Sequence, residues 1–345
     1  MLYLQYPQWL SPVIIPGLPF RWYAMMYLVA FSVTYLLVRW QIKKRALPIT
    51  NDQILSFFFW AIIGMLVGGR LASAFIYDTT GTYWRSPWLV FWPFNEHGQF
   101  TGFEGMSYHG AIVGIIVSLA IYAKVKKINL WVWTDLIVYA APLGYTAGRI
   151  GNFLNGELWG RVSDAPWAMV FPNAPPLSTG KQWVLDLANS AGVPLYGNIS
   201  LVNLPRHPSQ LYEALLEGLV LWLIMWFIFR KRNKFPGYGV AWYLIGYGTF
   251  RFVVEYFREP DKGKGLEYVI ALGPKADTEQ FVSVFNLSMG QILCSLMIVA
   301  GIGAYFWFKS RAAKIPSAAH YDLEAQQIKA AKKNRVRKSA GRTER

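Results

Sequence analysis

Ile54–Tyr77 reads ILSFFFWAIIGMLVGGRLASAFIY, 24 residues with a single charge at Arg70. A helix rises about 1.5 Å per residue and the hydrocarbon core of a bilayer is about 30 Å thick, so this stretch has the length and polarity of one membrane crossing. Working outward, six more windows have the same character: Phe20–Trp40, Gly105–Lys124, Leu130–Leu154, Gln210–Phe229, Gly237–Phe257 and Leu287–Phe308. Of 345 residues, 54% are apolar and only 15% charged, against roughly 25% charged in soluble domains. That balance excludes a disordered chain, a coiled coil and an ordinary cytosolic enzyme. The expected fold is an all-α polytopic integral membrane protein with seven transmembrane helices. A single cysteine, Cys294, excludes an intrachain disulfide framework and a multi-cysteine metal site. Met1–Pro19 carries no Lys or Arg and no small-residue cleavage site follows the first window, so that window reads as a retained span. Glycines four apart, at Gly64/Gly68, Gly110/Gly114 and Gly144/Gly148, mark faces where helices are expected to approach closely. No internal repeat is evident, which argues against a transporter built on inverted repeats.

The net charge of +15 would suggest nucleic acid until it is located. From Lys309 to Arg345 there are 11 Lys/Arg against 3 Asp/Glu, and the rest of the excess lies in short loops. Basic clusters follow the first window (Lys43, Lys44, Arg45), the third (Lys124, Lys126, Lys127), the fifth (Arg230, Lys231, Arg232, Lys234) and the seventh. The alternate loops are balanced or acidic. By the positive-inside rule the N-terminus is outside and the C-terminus cytoplasmic. Residues 1–308 then form a seven-helix membrane domain that includes a small extracytoplasmic cap, 155–207, between helices 4 and 5. Residues 309–345 form a basic cytoplasmic tail, expected to be disordered or a surface helix; it reads first as a charged tail that reinforces the topology and second as one drawn to anionic lipid headgroups. Membrane lipids are partners on this reading and nucleic acid is not.

Ionisable residues within spans are expensive and point to function. Arg70, His109, Arg149, Glu213, Arg251 and Glu255 all fall toward the outer ends of their windows, with Tyr23 at the same level; Asp135 alone lies toward the cytoplasmic side. An ion pathway would scatter charge through the full thickness, so this set describes a site opening to the outer leaflet. Arginine presents a planar fork suited to phosphate and is hard to bury without an anion. Three arginines with few free carboxylates suggest a phospholipid phosphate as ligand. The alternative is that they pair with Glu157, Glu213 and Glu255 and only hold helices together. A histidine side chain can take a proton from a nucleophile, so His109 is a candidate general base; the plainer reading is a hydrogen-bonded packing residue. Cys294, in an apolar helix, reads as a packing residue.

The segment Gly148-Arg149-Ile150-Gly151-Asn152-Phe153-Leu154-Asn155-Gly156-Glu157-Leu158-Trp159-Gly160-Arg161 resembles the signature of the bacterial prolipoprotein diacylglyceryl transferase family. The resemblance covers most of residues 7–308. It includes Trp22-Tyr23, Gly68-Gly69-Arg70, Met106-Ser107-Tyr108-His109-Gly110, Arg206-His207-Pro208-Ser209-Gln210-Leu211-Tyr212-Glu213, Gly246-Tyr247-Gly248-Thr249-Phe250-Arg251, Val254-Glu255 and Ser288-Met289-Gly290-Gln291. Ala111 stands where the family commonly has a second glycine. The loops at Thr79–Glu104 and Glu259–Phe285 look longer than usual.

The resemblance implies a reaction and a location. The diacylglyceryl group of phosphatidylglycerol moves to the lipobox cysteine thiol of a prolipoprotein signal peptide, a thioether forms and glycerol phosphate leaves. This is the first step of bacterial lipoprotein maturation, at the outer leaflet of the cytoplasmic (inner) membrane, with neither cofactor nor metal. The resemblance further implies that His109, Arg149 and Arg251 are catalytic. Tyr23, Arg70, Asn152, Glu157, Gly160, Tyr247 and Glu255 join the two arginines in binding phosphatidylglycerol. The competing reading is a non-catalytic protein that binds or transports phospholipid at the same arginines. Weighing a lipobox peptide after incubation separates the two.

Overall fold

The computed structural model describes residues 3–14, 21–76, 78, 81–94, 105–195, 197, 199–260, 270–274 and 277–313. The tail expected to be disordered therefore lies, beyond Ala313, outside the described residues. The long helices are α1 (Trp22–Arg45), α2 (Asn51–Ile76), α3 (Tyr108–Lys126), α4 (Leu130–Val138), α5 (Ala141–Leu154), α6 (Gln182–Ala191), α7 (Ser209–Arg232), α8 (Tyr238–Val254) and α9 (Met289–Ala313). Five of them, α1, α2, α3, α7 and α9, are long and apolar enough to cross a membrane. The fourth window is broken: Pro142, in the first turn of α5, has no N–H to continue α4, and Tyr139–Ala140 form a turn. The sixth window is α8, 17 residues long. The fold is that of an all-α membrane protein.

The described residues fall into two compact units, residues 42–133 and residues 3–41 with 134–313. In the first, α2 packs on α3 through the glycines the sequence singled out. A methyl group on Gly64 would strike the Gly114 carbonyl and Ser118, and one on Gly68 would strike Gly110 and Gly114. Each expected pair is the other's partner. α2 opens with a reciprocal cap, Thr50 N–H donating to Gln53 (2.9 Å) and Gln53 N–H to Thr50 Oγ1 (3.2 Å). α3 opens with Ser107 Oγ accepting the Gly110 N–H at 3.1 Å. Val113, Ile116, Val117 and Ile121 on α3 are exposed. At roughly half exposure each would forfeit on the order of 1 kcal/mol in water, a cost that lipid contact would remove.

In the second unit, α5 packs against α7, with Gly218 closing on Thr146, and α8 pairs with α9. Gly144 lies against Ala30 and Thr34 of α1 as expected, but Gly148 faces open space, so that glycine pair marks a helix contact at one position only. Asp135, fully buried in α4, accepts N–H bonds from Gly237 (2.9 Å) and Val240 (3.0 Å). It neutralises the positive N-terminal end of α8, which explains an acid at that depth without an ion pathway. The 155–207 segment folds as a small layer with its own core of Val162, Leu177, Val184, Ala188, Val202 and Leu204. It is not self-contained. Leu4–Gln5 pairs in parallel with Met169–Val170, and the Val162 N–H donates to the Glu279 carbonyl.

Candidate active site

Arg149 enters from α5 and Arg251 from α8, and both meet one oxygen of Glu213 on α7. Arg149 Nε lies 3.0 Å and Arg251 Nη1 3.2 Å from Glu213 Oε2. Arg251 also pairs with Glu255 at 2.6 Å, one turn along its own helix, and lies 3.6 Å from Glu217. Glu213 and Glu217 have no exposed side-chain surface, while the arginines keep 19% and 15%. Glu213 ends the regular first turns of α7. Glu217 follows in a stretch of wider π-type turns, Ala214–Val220, a local geometry often found at functional sites. The expectation of few free carboxylates is thus corrected toward its alternative: Arg149 pairs with Glu213, and Arg251 with Glu213, Glu217 and, one turn along its own helix, Glu255, while no ion pair to Glu157 forms among the described residues. Physically this is required, because two uncompensated guanidinium groups at such low exposure would cost several kcal/mol.

Tyr145 ties the cluster together. Its hydroxyl accepts from Arg149 Nε at 2.7 Å and donates to Glu217 Oε2 at 2.6 Å. Its ring lies 4.8 Å from the Arg149 guanidinium carbon and edge-on to Tyr247 at 5.8 Å. Sequence reasoning passed over Tyr145. The available signal was its spacing of four residues before Arg149, which puts both on one helix face.

The remaining residues of the signature build the turn beside the arginines. Arg149 Nη1 donates to Asn152 Oδ1 (3.4 Å), and Asn152 Nδ2 donates to Glu157 Oε1 (2.9 Å). Glu157 faces back toward α5 because Gly156 and Leu158 both adopt left-handed backbone angles, φ 64° and 57°. That conformation is uncommon for leucine, so the turn must be held from outside. Residues from the 206–213 motif hold it: Ser209 Oγ donates to the Leu158 carbonyl (3.1 Å) and Gln210 Nε2 to the Glu157 carbonyl (2.6 Å). Gly160 donates its N–H to the His207 carbonyl (2.9 Å), and any side chain there would strike Phe257 and His207. Fully buried Arg206 pairs with Glu259. Burial pushes the His207 imidazole down to about 4, against an opposing pull from Asp164, and Nδ1 of the neutral ring lies 3.0 Å from the Tyr212 hydroxyl. The Ser288–Gln291 motif is a reciprocal helix cap for α9, and Ser288 Oγ donates to Glu255 Oε1 at 3.1 Å. Tyr23 shares a 2.7 Å hydrogen bond with Tyr27 and, with Arg21, Ala24, Asn155 and Glu157, lines a cavity of about 400 Å³.

Arg70 and His109 belong to the other unit. Arg70 is 5% exposed; its Nε donates to the Val90 carbonyl, Nη1 to the Gly105 carbonyl (3.3 Å) and Nη2 to the Tyr83 hydroxyl (3.1 Å). Its visible work is to fasten the loop after α2. His109 is exposed at the start of α3, at one end of an apolar groove of about 660 Å³ whose floor includes Gly64, Gly68, Gly110 and Gly114.

A family model described as prolipoprotein diacylglyceryl transferase matches residues 12–307. The chain belongs to that family. Among its relatives, the phosphatidylglycerol–prolipoprotein diacylglyceryl transferase of Treponema pallidum (strain Nichols) is 44% identical over 319 residues, covering 89% of this chain and 95% of the relative. The protein of the same name from Treponema denticola is 46% identical over 321 residues, covering 88% and 94%. That of Chlorobaculum tepidum is 39% identical over 316 residues, covering 89% and 92%. Membership in the prolipoprotein diacylglyceryl transferase family makes the chain a transferase.

Proposed function

We propose that the chain transfers the diacylglyceryl group of phosphatidylglycerol to the lipobox cysteine of prolipoproteins, as the first step of lipoprotein maturation at the cytoplasmic membrane. In the reaction the thiol gives up its proton, the sulfur attacks the glyceryl CH₂ carbon, the bond from that carbon to the phosphate oxygen breaks, and glycerol phosphate departs with the electron pair. The observation that carries the reading is the Arg149–Glu213–Arg251 arrangement: two guanidinium groups held by one carboxylate oxygen, each retaining some exposed surface. Charge grows on the phosphate as the carbon–oxygen bond breaks, and donors already fixed in place stabilise it without reorganising. Asn152, Glu157 and Glu255 serve by aiming the arginines. Tyr23, Gly160 and Tyr247 shape the headgroup site. His109 takes the thiol proton, since the thiolate is the better nucleophile. Its apolar groove suits an acyl chain. Arg70, which fastens the loop after α2, joins the residues that bind phosphatidylglycerol by organising the outer surface.

Seven crossings complete the reading, with α4 and α5 together making one and α8 another. The N-terminus and the 155–207 layer lie outside and the basic tail in the cytoplasm, so the site opens to the outer leaflet. Support comes from the basic clusters after alternate windows. The test is incubation of purified protein with phosphatidylglycerol vesicles and a lipobox peptide. The expected result is a peptide heavier by one diacylglyceryl group, with the Cys-to-Ser peptide unchanged. An unmodified cysteine peptide from folded protein overturns the reading.

A further inference from the structure

The loop after α2 carries a face that the transfer reaction does not use. Residues 82–94 read TYWRSPWLVFWPF, with Arg85 the single charge. Trp84, Trp88 and Trp92 recur every fourth residue and are 67%, 70% and 55% exposed, with Phe91 and Phe94 exposed beside them. The opposite side is fastened inward. Val90 is buried, its carbonyl accepts from Arg70, and Arg70 also reaches the Tyr83 hydroxyl. The Trp84 ring meets Phe75 edge-on at 4.9 Å. Arg70 and Phe75 lie six residues and one residue before the end of α2, about 9 Å and 1.5 Å along its axis. The segment therefore lies back against the last turns of α2 and does not project beyond them.

That position decides what covers the aromatic face. If α2 crosses the bilayer, its last turns lie where hydrocarbon gives way to headgroups, the zone in which tryptophan concentrates. A soluble partner has no approach at that level. We infer that Thr82–Phe94 is an aromatic foot lying in the membrane interface, with Trp84, Trp88 and Trp92 set among lipids at the headgroup–acyl boundary. Arg85, with no acid beside it in the segment, suits anionic headgroups. The foot also bears on the chemistry. The Ser107 N–H donates to the Gly69 carbonyl at 3.0 Å, so the first turn of α3, with His109, is tied to the same stretch of α2 from which Arg70 holds the foot. The inference rests on reading α2 as a crossing, and its test separates the two.

Cys294 is the sole cysteine and is buried, so a Cys294→Ser background gives clean single-site labelling. Nitroxides are placed by W88C, W92C, S86C, L66C and S178C in full-length protein reconstituted into phosphatidylglycerol-containing vesicles. Collision with oxygen and with a water-soluble nickel chelate is then compared. S86C removes no aromatic and covers the case in which a tryptophan variant misfolds. The expected result is L66C shielded from nickel and rich in oxygen, S178C open to nickel, and the foot positions intermediate. Foot positions as open to nickel as S178C, or as deep as L66C, overturn the foot while leaving the crossing intact. Nickel access at L66C overturns the crossing itself.

Discussion

Replacing Tyr145 by Phe removes one oxygen and leaves the ring against Tyr247 and beside Arg149. Two charge-assisted hydrogen bonds are lost, one from Arg149 Nε (2.7 Å) and one to Glu217 Oε2 (2.6 Å). Bonds of this kind contribute about 1.5–3 kcal/mol each. On the Arg149 side the loss falls at the low end, because Nε keeps Glu213 at 3.0 Å. On the Glu217 side it is larger: the carboxylate is fully buried and Oε1 already lacks a hydrogen-bond partner. Taking the combined effect on Arg149 in the transition state as about 2–3 kcal/mol, the rate falls about 30- to 150-fold. The ground state binds lipid through the same arginines, so KM for phosphatidylglycerol should move much less than kcat. Initial rates of lipobox-peptide modification, measured over a range of phosphatidylglycerol mole fractions, give both parameters. Because the Tyr145 hydroxyl links Arg149 to Glu217, Tyr145→Phe combined with Glu217→Gln should cost less than the sum of the single changes. A Tyr145→Phe enzyme within about twofold of wild type, or strictly additive losses in the double variant, would refute the bridging role.

Arg149→Ala and Arg251→Ala should each lower transfer by about 100-fold or more with membrane insertion intact, and Lys should not restore full activity, since it cannot match contacts made from separate nitrogens of one fork; the peptide assay with a membrane-fraction control checks both. His109→Gln should lose activity most at low pH and recover partly as pH rises and the substrate thiol ionises unaided. A constant ratio to wild type from about pH 6 to 9 would reassign His109 to positioning. His207 gives a stability signature: its folded value, about 4, lies below the roughly 6.5 of an unfolded chain. The unfolded state therefore binds the proton more readily, and the contribution is complete above about pH 6.5 and lost as pH falls toward 4. His207→Gln should flatten that limb of a thermal-unfolding profile recorded in detergent.

Much of this architecture was legible in the sequence because it depends on short-range rules. A bilayer demands long apolar helices, and Ile54–Tyr77 announces one. Gly64, Gly68, Gly110 and Gly114 were readable as packing faces because a missing side chain serves little else at helical spacing. Gly148 carried the same pattern and faces open space, since spacing shows a helix face but not what stands opposite it. The break at Tyr139–Ala140 was not read from the sequence, although Pro142 within an otherwise continuous window was the available signal. Partner choice was the illegible part. Arg149, Glu213 and Arg251 come from three helices separated by a long cap, so nothing local says that one oxygen serves two arginines. Arg70 is similar: that it donates to the Val90 and Gly105 carbonyls and the Tyr83 hydroxyl is not displayed by any local sequence pattern. Asp135 looked like a buried charge seeking a function, until its acceptors were seen to face the backbone N–H groups at the start of α8.

On the proposed mechanism a phosphate held by Arg149 and Arg251 leaves as carbon–oxygen cleavage delivers the diacylglyceryl group to sulfur. Phosphatidylglycerol labelled in both the phosphorus and the headgroup glycerol, incubated with the protein and a lipobox peptide, tests it directly. The expected result is one glycerol phosphate carrying both labels for each thioether formed, with no phosphorus on the peptide. Release of free glycerol, with phosphorus retained on the lipid or the peptide, would contradict it.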